Sequence, residues 1–202
     1  MKYIIASLSI FLLALEAFAS MPVKDNSCTT NNSHKNSWTF FRIGIMPNFP
    51  EVTSYQTYGL VLGLPLSGGK QKVTGLESAI ISASTDYIVG TQTSVFVDIA
   101  DKLTGFQGGL INVTRENLTG MQAGLTNIST GNMNGVQLST VNTVSETASG
   151  AQLGIVNYAQ KTNGIQIGIF NVASHATCQI GLINFISDNW LGFSILVNAS
   201  FN

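Results

Sequence analysis

The sequence predicts an all-β repeat protein, with a parallel β-solenoid as the favoured architecture. An eight-residue unit that begins with Gly and ends with Asn recurs along the chain, most clearly in residues 150–157 and 164–171. Its closing asparagines, from Asn112 to Asn198, lie 15, 15, 15, 14, 13 and 14 residues apart. No helical periodicity of useful length accompanies the repeat. A fixed short period of this kind indicates one small structural unit that is stacked many times.

Each unit is predicted to form one strand between two bending residues. When the glycine is numbered position zero, positions one, three and five are apolar or small, as in Ile165, Ile167 and Ile169, and position two is nearly always Gln. Such alternation is typical of a strand. The zero glycine can adopt a positive φ without steric cost, and Asn at position seven tolerates a bend. A shorter return segment completes the unit.

In a parallel solenoid each unit lies on the next in the same direction, so that like residues meet. The position-two glutamines and the position-seven asparagines would then form amide ladders, which side-chain hydrogen bonds stabilise along the stack. We expect the apolar side chains at positions one, three and five to fill a narrow core.

The alternative architecture is an antiparallel meander that closes into an outer-membrane β-barrel. The repeat spacing allows strands of about ten residues, the length that a membrane strand needs. However, the apolar band is only three side chains deep on one face, roughly 20 Å against the ~25 Å expected of such a barrel. Alternate copies would also be inverted. The sequence therefore favours the solenoid and leaves the barrel open.

The chain divides into three segments. Residues 1–19 have a positively charged start, an apolar stretch and an Ala-Phe-Ala ending, which is the pattern of a secretory signal peptide. Residues 20–37 form a polar leader that we expect to be flexible. Residues 38–202 form a single β-repeat domain with clear repeats over residues 75–198. We therefore expect export to the cell envelope, the surface or the outer membrane.

Charge is scarce in this chain and is placed at regular intervals. Charged residues make up only 9% of the sequence, against a usual share of about a quarter, and the formal net charge is −1. This balance gives no support for a nucleic-acid partner. From Gly105 onward, every charged side chain lies at position ten or eleven of the repeat. We expect that part of each unit to face water.

Three acids at position eleven form the strongest candidate for a metal site. In a parallel solenoid Asp86, Asp101 and Glu116 would stack on successive coils, about 4.8 Å apart. Carboxylates at that distance repel each other unless they turn into water or bind a hard cation such as Ca²⁺. The sequence favours the other interpretation, in which these acids are solvated turn residues.

The two cysteines allow a disulfide without requiring one. An exported protein could pair Cys28 with Cys178. Cys178, however, takes a repeat position that usually holds Leu, Ile or Val, so it can equally be a small core side chain. The sequence leaves both interpretations open.

The repeat unit resembles that of a known family. Residues 150–157 and 164–171, together with residues 179–184, are similar to the Gly-Leu-Gln-Ile-Gly-Leu-Val-Asn units of the leptospiral-type surface-repeat proteins of bacteria. The ending 191–198 is similar to the closing segment of that family. The resemblance covers about residues 75–198, and it implies an exported, envelope-associated protein without a known reaction or functional residues.

These observations predict a non-enzymatic function. The acidic residues join no His or Arg in a recognisable catalytic motif, and nothing indicates a cofactor. We expect an exported envelope or surface protein that acts as a scaffold or binding surface for other envelope or host-surface macromolecules, with membrane association compatible with this function. The alternative is a small outer-membrane barrel that could form a pore.

Overall fold

A computed structural model describes residues 38–45, 55–188 and 192–199 of the chain, which form strands and connecting bends. The described residues contain no helix that is long and apolar enough to cross a membrane. The strands are β1 (Trp38–Gly44), β2 (Tyr55–Gly63), β3 (Leu66–Ala79), β4 (Ser82–Ser94), β5 (Val97–Gly108), β6 (Ile111–Thr114), β7 (Leu118–Ala123), β8 (Thr126–Ser129), β9 (Met133–Leu138), β10 (Val141–Leu153), β11 (Val156–Ile186) and β12 (Phe193–Ala199).

The strands form a parallel β-solenoid of about 8 turns. Each strand from β1 to β5 pairs in parallel with the next, and the path continues through β6, β8, β10 and β11. The short strands β7 and β9 are the second segments of the coils that contain β6 and β8. The predicted solenoid is therefore confirmed, and the antiparallel meander considered as its alternative is wrong for these strands.

The register places identical residues on one another. Gly105 of β5 pairs with Gly120 of β7, and Gln107 of β5 pairs with Gln122 of β7. A slip of one residue would exchange the inner and outer faces of a strand, so a buried polar row fixes the register strongly. Units of 13 to 15 residues keep this register because the bends absorb the difference in length.

A column of glycines allows the coils to approach closely. The position-zero glycines from Gly59 to Gly150 adopt positive φ, for example 127° at Gly120. A Cβ atom built on Gly120 would lie 2.0 Å from the carbonyl oxygen of Gly105 in the preceding coil. The regular spacing of glycine along the chain therefore reflects both a backbone conformation and a backbone-to-backbone contact.

The outward and inward faces of the strands are reversed from the sequence prediction. The side chains at positions one, three and five do not fill the core; they are half-buried or exposed on the outside. The interior holds the position-two and position-seven amides, a row of apolar side chains two residues before the zero glycines from Gly75 to Gly150, and smaller apolar side chains such as Val144 and Ala159. That row consists of Val73, Ile88, Leu103, Leu118, Met133 and Ala148. The prediction was wrong because alternate side chains of a strand point to opposite faces, and the face that points inward is the one that carries the amides.

The C-terminal strand also departs from the predicted repeat. β12 pairs with β11 in the antiparallel direction, and Asn198 lies opposite Gln179. The segment that ends at Asn198 is therefore a reversed closing strand and not a further coil. Leu196, within this strand, has a φ of 75°.

Substitution of a position-zero glycine should disrupt the stack. We expect Gly120→Ala to lower the free energy of unfolding by about 3 kcal/mol or more, because the new methyl group meets backbone and the φ is unfavourable for alanine. Urea denaturation would measure this loss. Gly192→Ala is the matched control, since its nearest neighbour would be 3.7 Å away. Equal stability of the two variants would contradict this account of the glycine column.

Candidate functional site

A ladder of seven glutamines runs through the interior. From Gln107 onward, each Nε2 atom donates to the Oε1 atom of the glutamine in the preceding coil at 2.7–2.9 Å. These side chains are fully buried. The members of this glutamine ladder are Gln92, Gln107, Gln122, Gln137, Gln152, Gln166 and Gln179.

A second ladder is built from the position-seven asparagines. Here each Nδ2 atom donates to the Oδ1 atom of the asparagine in the following coil at 2.8–3.1 Å. The same Nδ2 atoms also donate to position-three carbonyls of the next coil, for example from Asn157 to Ile167 at 2.9 Å. The asparagine ladder therefore also fixes the bend of each coil. Its members are Asn112, Asn127, Asn142, Asn157, Asn171 and Asn184.

The position-four glycines make room for the asparagine ladder. A Cβ atom on Gly168 would lie 2.6 Å from Nδ2 of Asn157, and one on Gly124 would lie 2.5 Å from Nδ2 of Asn112. Beside the ladder, Ser139 takes the place of a position-four glycine, and its hydroxyl donates to Asn142 Oδ1 at 2.8 Å. Small residues at position four are thus required by the amides beside them.

The two ladders have opposite polarity. Glutamine N–H groups point toward the N-terminal coils, whereas asparagine N–H groups point toward the C-terminal coils. Each ladder has a carboxyl group in register at its N-terminal end: Glu77 pairs with Gln92, and Asp98 pairs with Asn112. The donor end of one ladder therefore meets a carboxyl group, and so does the acceptor end of the other.

Glu77 accepts hydrogen bonds from several donors. Gln92 Nε2 donates to it at 3.0 Å, Ser67 Oγ at 2.8 Å, and Thr85 Oγ1 lies 2.7 Å from its Oε2 atom. Burial raises the pKa of Glu77, while these hydrogen bonds and the charge of Arg42 oppose the rise. Arg42 reaches this site through a hydrogen bond to Gln71, whose Nε2 atom lies 3.5 Å from Thr85 Oγ1. The site therefore consists of donors directed at one buried carboxylate.

Asp98 has fewer donors than Glu77. It is fully buried, and its Oδ2 atom accepts the backbone N–H of Ser94 at 3.0 Å. Its Oδ1 atom has no hydrogen-bond partner, and neither has the Oδ1 atom of Asn112. Burial raises the pKa of Asp98 to about 7, Ser94 lowers it in part, and the charge of Glu77 raises it further.

The structure places the predicted metal-site acids on neighbouring coils but gives two of them basic partners. The Glu116 N–H donates to the Asp101 carbonyl at 2.8 Å, so these coils stack as expected. Arg115 lies 3.2 Å from Asp101, and Lys102 lies 2.9 Å from Glu116. Asp86 is half-buried. Within the described residues, no three His, Cys, Asp or Glu side chains are grouped to hold a metal ion. These two ion pairs compensate the negative charges of Asp101 and Glu116, which was the role predicted for Ca²⁺.

The predicted disulfide falls partly outside the described residues. Cys178 is half-buried at a coil position that faces outward in its neighbours. Cys28 lies outside the described part of the chain, so the pairing stays a prediction.

The described residues expose a line of aliphatic side chains at position five, which we name the apolar ridge. Its members are 40–56% exposed and follow one another along the coils, interrupted once by Thr140 between Leu125 and Ile155. The charged side chains lie about half a coil away, at positions ten and eleven. The ridge consists of Leu64, Ile80, Val95, Leu110, Leu125, Ile155, Ile169 and Leu182.

A groove of about 920 Å³ runs beside the ridge over the C-terminal coils. Position-four glycines line it between aliphatic side chains at positions three and five, such as Ile167 and Ile169. Leu196 and Val197 of β12 also line it. Within the part of the chain that the structure describes, the apolar surface thus contains a shallow channel that crosses several coils.

Comparison with known proteins adds no functional assignment. The chain matches no protein-family model, no curated protein and no solved structure. The resemblance to the leptospiral-type surface-repeat family therefore stays a prediction.

The sequence predicted the two ladders but missed their ends and the ridge. Glu77 replaces the position-two glutamine, so its role could have been inferred from the repeat frame. Asp98 was harder to recognise, because its coil has one extra residue between the glycine and the column of asparagines. The ridge was missed because its side chains were assigned to the core.

Breaking the glutamine ladder should destabilise the protein. Gln152→Leu removes the bond to Gln137 at 2.9 Å and the bond from Gln166 at 2.7 Å. Each buried amide group left without a partner costs about 1–3 kcal/mol. We expect urea denaturation to show a corresponding loss in the free energy of unfolding. Gln160→Leu, at an exposed position of the same coil, is the control and should be nearly neutral. A neutral Gln152→Leu would show that the ladder does not stabilise the stack.

Proposed function

We propose that this protein is an exported, non-enzymatic envelope protein whose apolar ridge rests on a lipid layer. The observation that carries the proposal is the amphipathic cross-section of the solenoid. Aliphatic side chains follow one corner of the coils, and charged side chains follow the region half a coil away. This arrangement resembles that of an interfacial amphipathic helix, built at the scale of a whole domain.

The size of the ridge supports a docking role. Over about eight coils at ~4.8 Å per coil, the ridge extends for roughly 38 Å. Monomeric proteins in water rarely expose a contiguous apolar patch of this extent unless it binds something. Moving the exposed half of one Leu or Ile side chain out of water contributes about 1 kcal/mol. Several such side chains acting together can offset the cost of association.

The composition of the ridge favours hydrocarbon over a specific protein partner. Its described members carry no charge and no hydrogen-bonding group, so they offer no basis for directional recognition. Phe96 and Phe170, at position six beside the ridge, are 50% and 41% exposed. Phe, like Leu, is typical of the apolar face that an interfacial amphipathic helix inserts into lipid.

The buried acids support a structural interpretation of the interior. Glu77 and Asp98 are both 0% exposed and lie at the ends of the amide ladders. A catalytic carboxyl group must reach its substrate, whereas these groups are enclosed by the coils. The proposal therefore assigns function to the outer surface of the solenoid.

The ridge can be tested with neutral lipid vesicles. We expect the mature chain to float with phosphatidylcholine vesicles, and we expect high salt to leave the binding unchanged, since the net charge is only −1. The double variant Leu110→Glu with Leu125→Glu should bind at least about tenfold more weakly, because an apolar contact is lost and two charges face hydrocarbon.

A matched variant controls for the added charge. Thr104→Glu with Thr119→Glu introduces the same charges on the same pair of coils, at exposed positions away from the ridge. This control should bind like the wild type. Absence of wild-type binding, binding restricted to anionic vesicles, or equal binding of the two double variants would contradict the proposal. Retention on a protein partner with no vesicle binding would identify a protein-docking ridge instead.

Export has its own test. We expect the mature protein to begin at Ser20, because the small residues at 17 and 19 match the requirement of a signal-peptide cleavage site. N-terminal sequencing of the protein from the envelope fraction would establish this. Ala19→Arg should prevent cleavage and leave the full-length precursor. An unprocessed wild-type protein in the cytoplasm would contradict the prediction.

A further inference from the structure

We propose that Asp98 carries a proton on Oδ1 and donates it to Oδ1 of Asn112, which makes the N-terminal end of the asparagine ladder sensitive to pH. This role goes beyond the proposed docking function and does not depend on it. Two unpartnered oxygen atoms and the direction of the ladder support the inference.

The first observation is the pair of oxygen atoms. Asp98 Oδ1 and Asn112 Oδ1 are both buried without a hydrogen-bond partner. The two residues pair in register on adjacent strands β5 and β6. An ionised carboxylate would therefore set a charged acceptor beside an amide acceptor in a dry interior. A protonated carboxyl group supplies the missing donor and satisfies both atoms.

The second observation is the polarity of the ladder. From Asn112 to Asn171, each amide of the ladder donates to the asparagine of the coil that lies farther from Asp98. The end that meets Asp98 is thus the oxygen end of an aligned row of amide dipoles, which disfavours negative charge. On the other side of Asp98 the column continues with Ala83, which has no polar side-chain group. The acid consequently has to donate toward Asn112 or leave that oxygen unsatisfied.

The groups around Asp98 provide no compensating cation. From β3, Glu77 acts on Asp98 through its negative charge, which favours the protonated form. β4 contributes Ser94, and its titratable residues Asp86 and Tyr87 lie on the side of the position-eleven charges. β6 and β7 carry no titratable side chain. On β5 itself, Asp101 and Lys102 are paired with residues of the next coil.

The sign of the pH effect follows from proton uptake. In the unfolded chain the pKa of Asp98 returns to its ordinary value of 3.8, whereas in the folded protein it is about 7. Between these values the folded state binds one more proton than the unfolded state. The stabilising contribution is complete below pH ~4, falls as the pH rises toward ~7 and is absent above it.

The substitution Asp98→Asn tests the inference directly. An asparagine can donate its Nδ2 N–H group to Asn112 and still accept from Ser94, so it would extend the ladder at every pH. We expect the variant to melt above the wild type at pH 8 and the difference to shrink toward pH 5. Relative to the variant, the wild-type unfolding constant should rise by up to about tenfold per pH unit between pH ~4 and pH ~7 and level off above pH 7.

A direct readout of the proton accompanies the stability measurement. In ¹³C-carboxyl NMR, one aspartate of the folded wild type should titrate near pH 7, and this signal should be missing in Asp98→Asn. Asp101→Asn is the control, because Asp101 is a partly exposed acid three residues away, and it should keep both the signal and the pH dependence. Titration of Asp98 below pH 4, parallel pH profiles, or failure of Asp98→Asn to fold would overturn the inference.

The opposite polarity of the glutamine ladder gives a second check. Glu77 accepts from Ser67, Thr85 and Gln92, so Glu77→Gln places an amide donor among donors. The same acid-to-amide change should therefore lower the melting temperature at Glu77 and raise it at Asp98 at pH 8. If both substitutions changed the melting temperature in the same direction, the direction of each ladder would not determine whether an acid or an amide is preferred at its end.

Discussion

The hydrogen bond between like amide side chains in successive coils is the interaction on which this structure depends. A buried amide must satisfy both its donors and its acceptor, and a stack of identical amides achieves this only when each lies on its neighbour. The requirement fixes the register and leaves the length of the turns free. Asn157, Asn171 and Asn184 are separated by 14 and 13 residues, yet both hydrogen bonds between them measure 2.8 Å.

The buried amides also determine the character of the outer surface. Alternate side chains of a strand point to opposite faces, so the inward glutamine at position two directs positions one and three outward. The aliphatic side chains at those positions, together with position five, therefore cover the solenoid instead of filling it. Apolar packing inside consists of the row that includes Leu103, Leu118 and Met133 and of smaller side chains such as Val144 and Ala159. An unusually apolar exterior is the consequence of an unusually polar interior.

Much of the fold could be predicted from the sequence, because the period of the repeat determines the strands and their stacking as far as Asn184. The strands, the parallel stacking, the two ladders and the bending glycines all follow from the spacing of Gly, Gln and Asn. The inward face could not be read from hydrophobicity, since burial of Gln152 and Asn157 opposes the usual preference of these residues for water. The residues at the two ends of the repeat were also not recognised from the sequence. Asp98 lies one residue out of frame, and Asn198 matches the repeat in sequence but belongs to a strand of opposite direction.

The reversed strand β12 has a consequence for self-association. A stack of parallel coils ends in an edge that could accept another copy of the same coil, which is the route by which solenoids and cross-β assemblies grow into fibres. At the C-terminal edge, the backbone of β12 runs antiparallel to the neighbouring strand β11. A further parallel coil therefore could not continue the hydrogen-bonding pattern. The Phe193 ring of β12 also packs against Phe185 of the last coil at 5.2 Å, which holds the strand in place. Chain direction at that edge therefore opposes the addition of a further parallel coil.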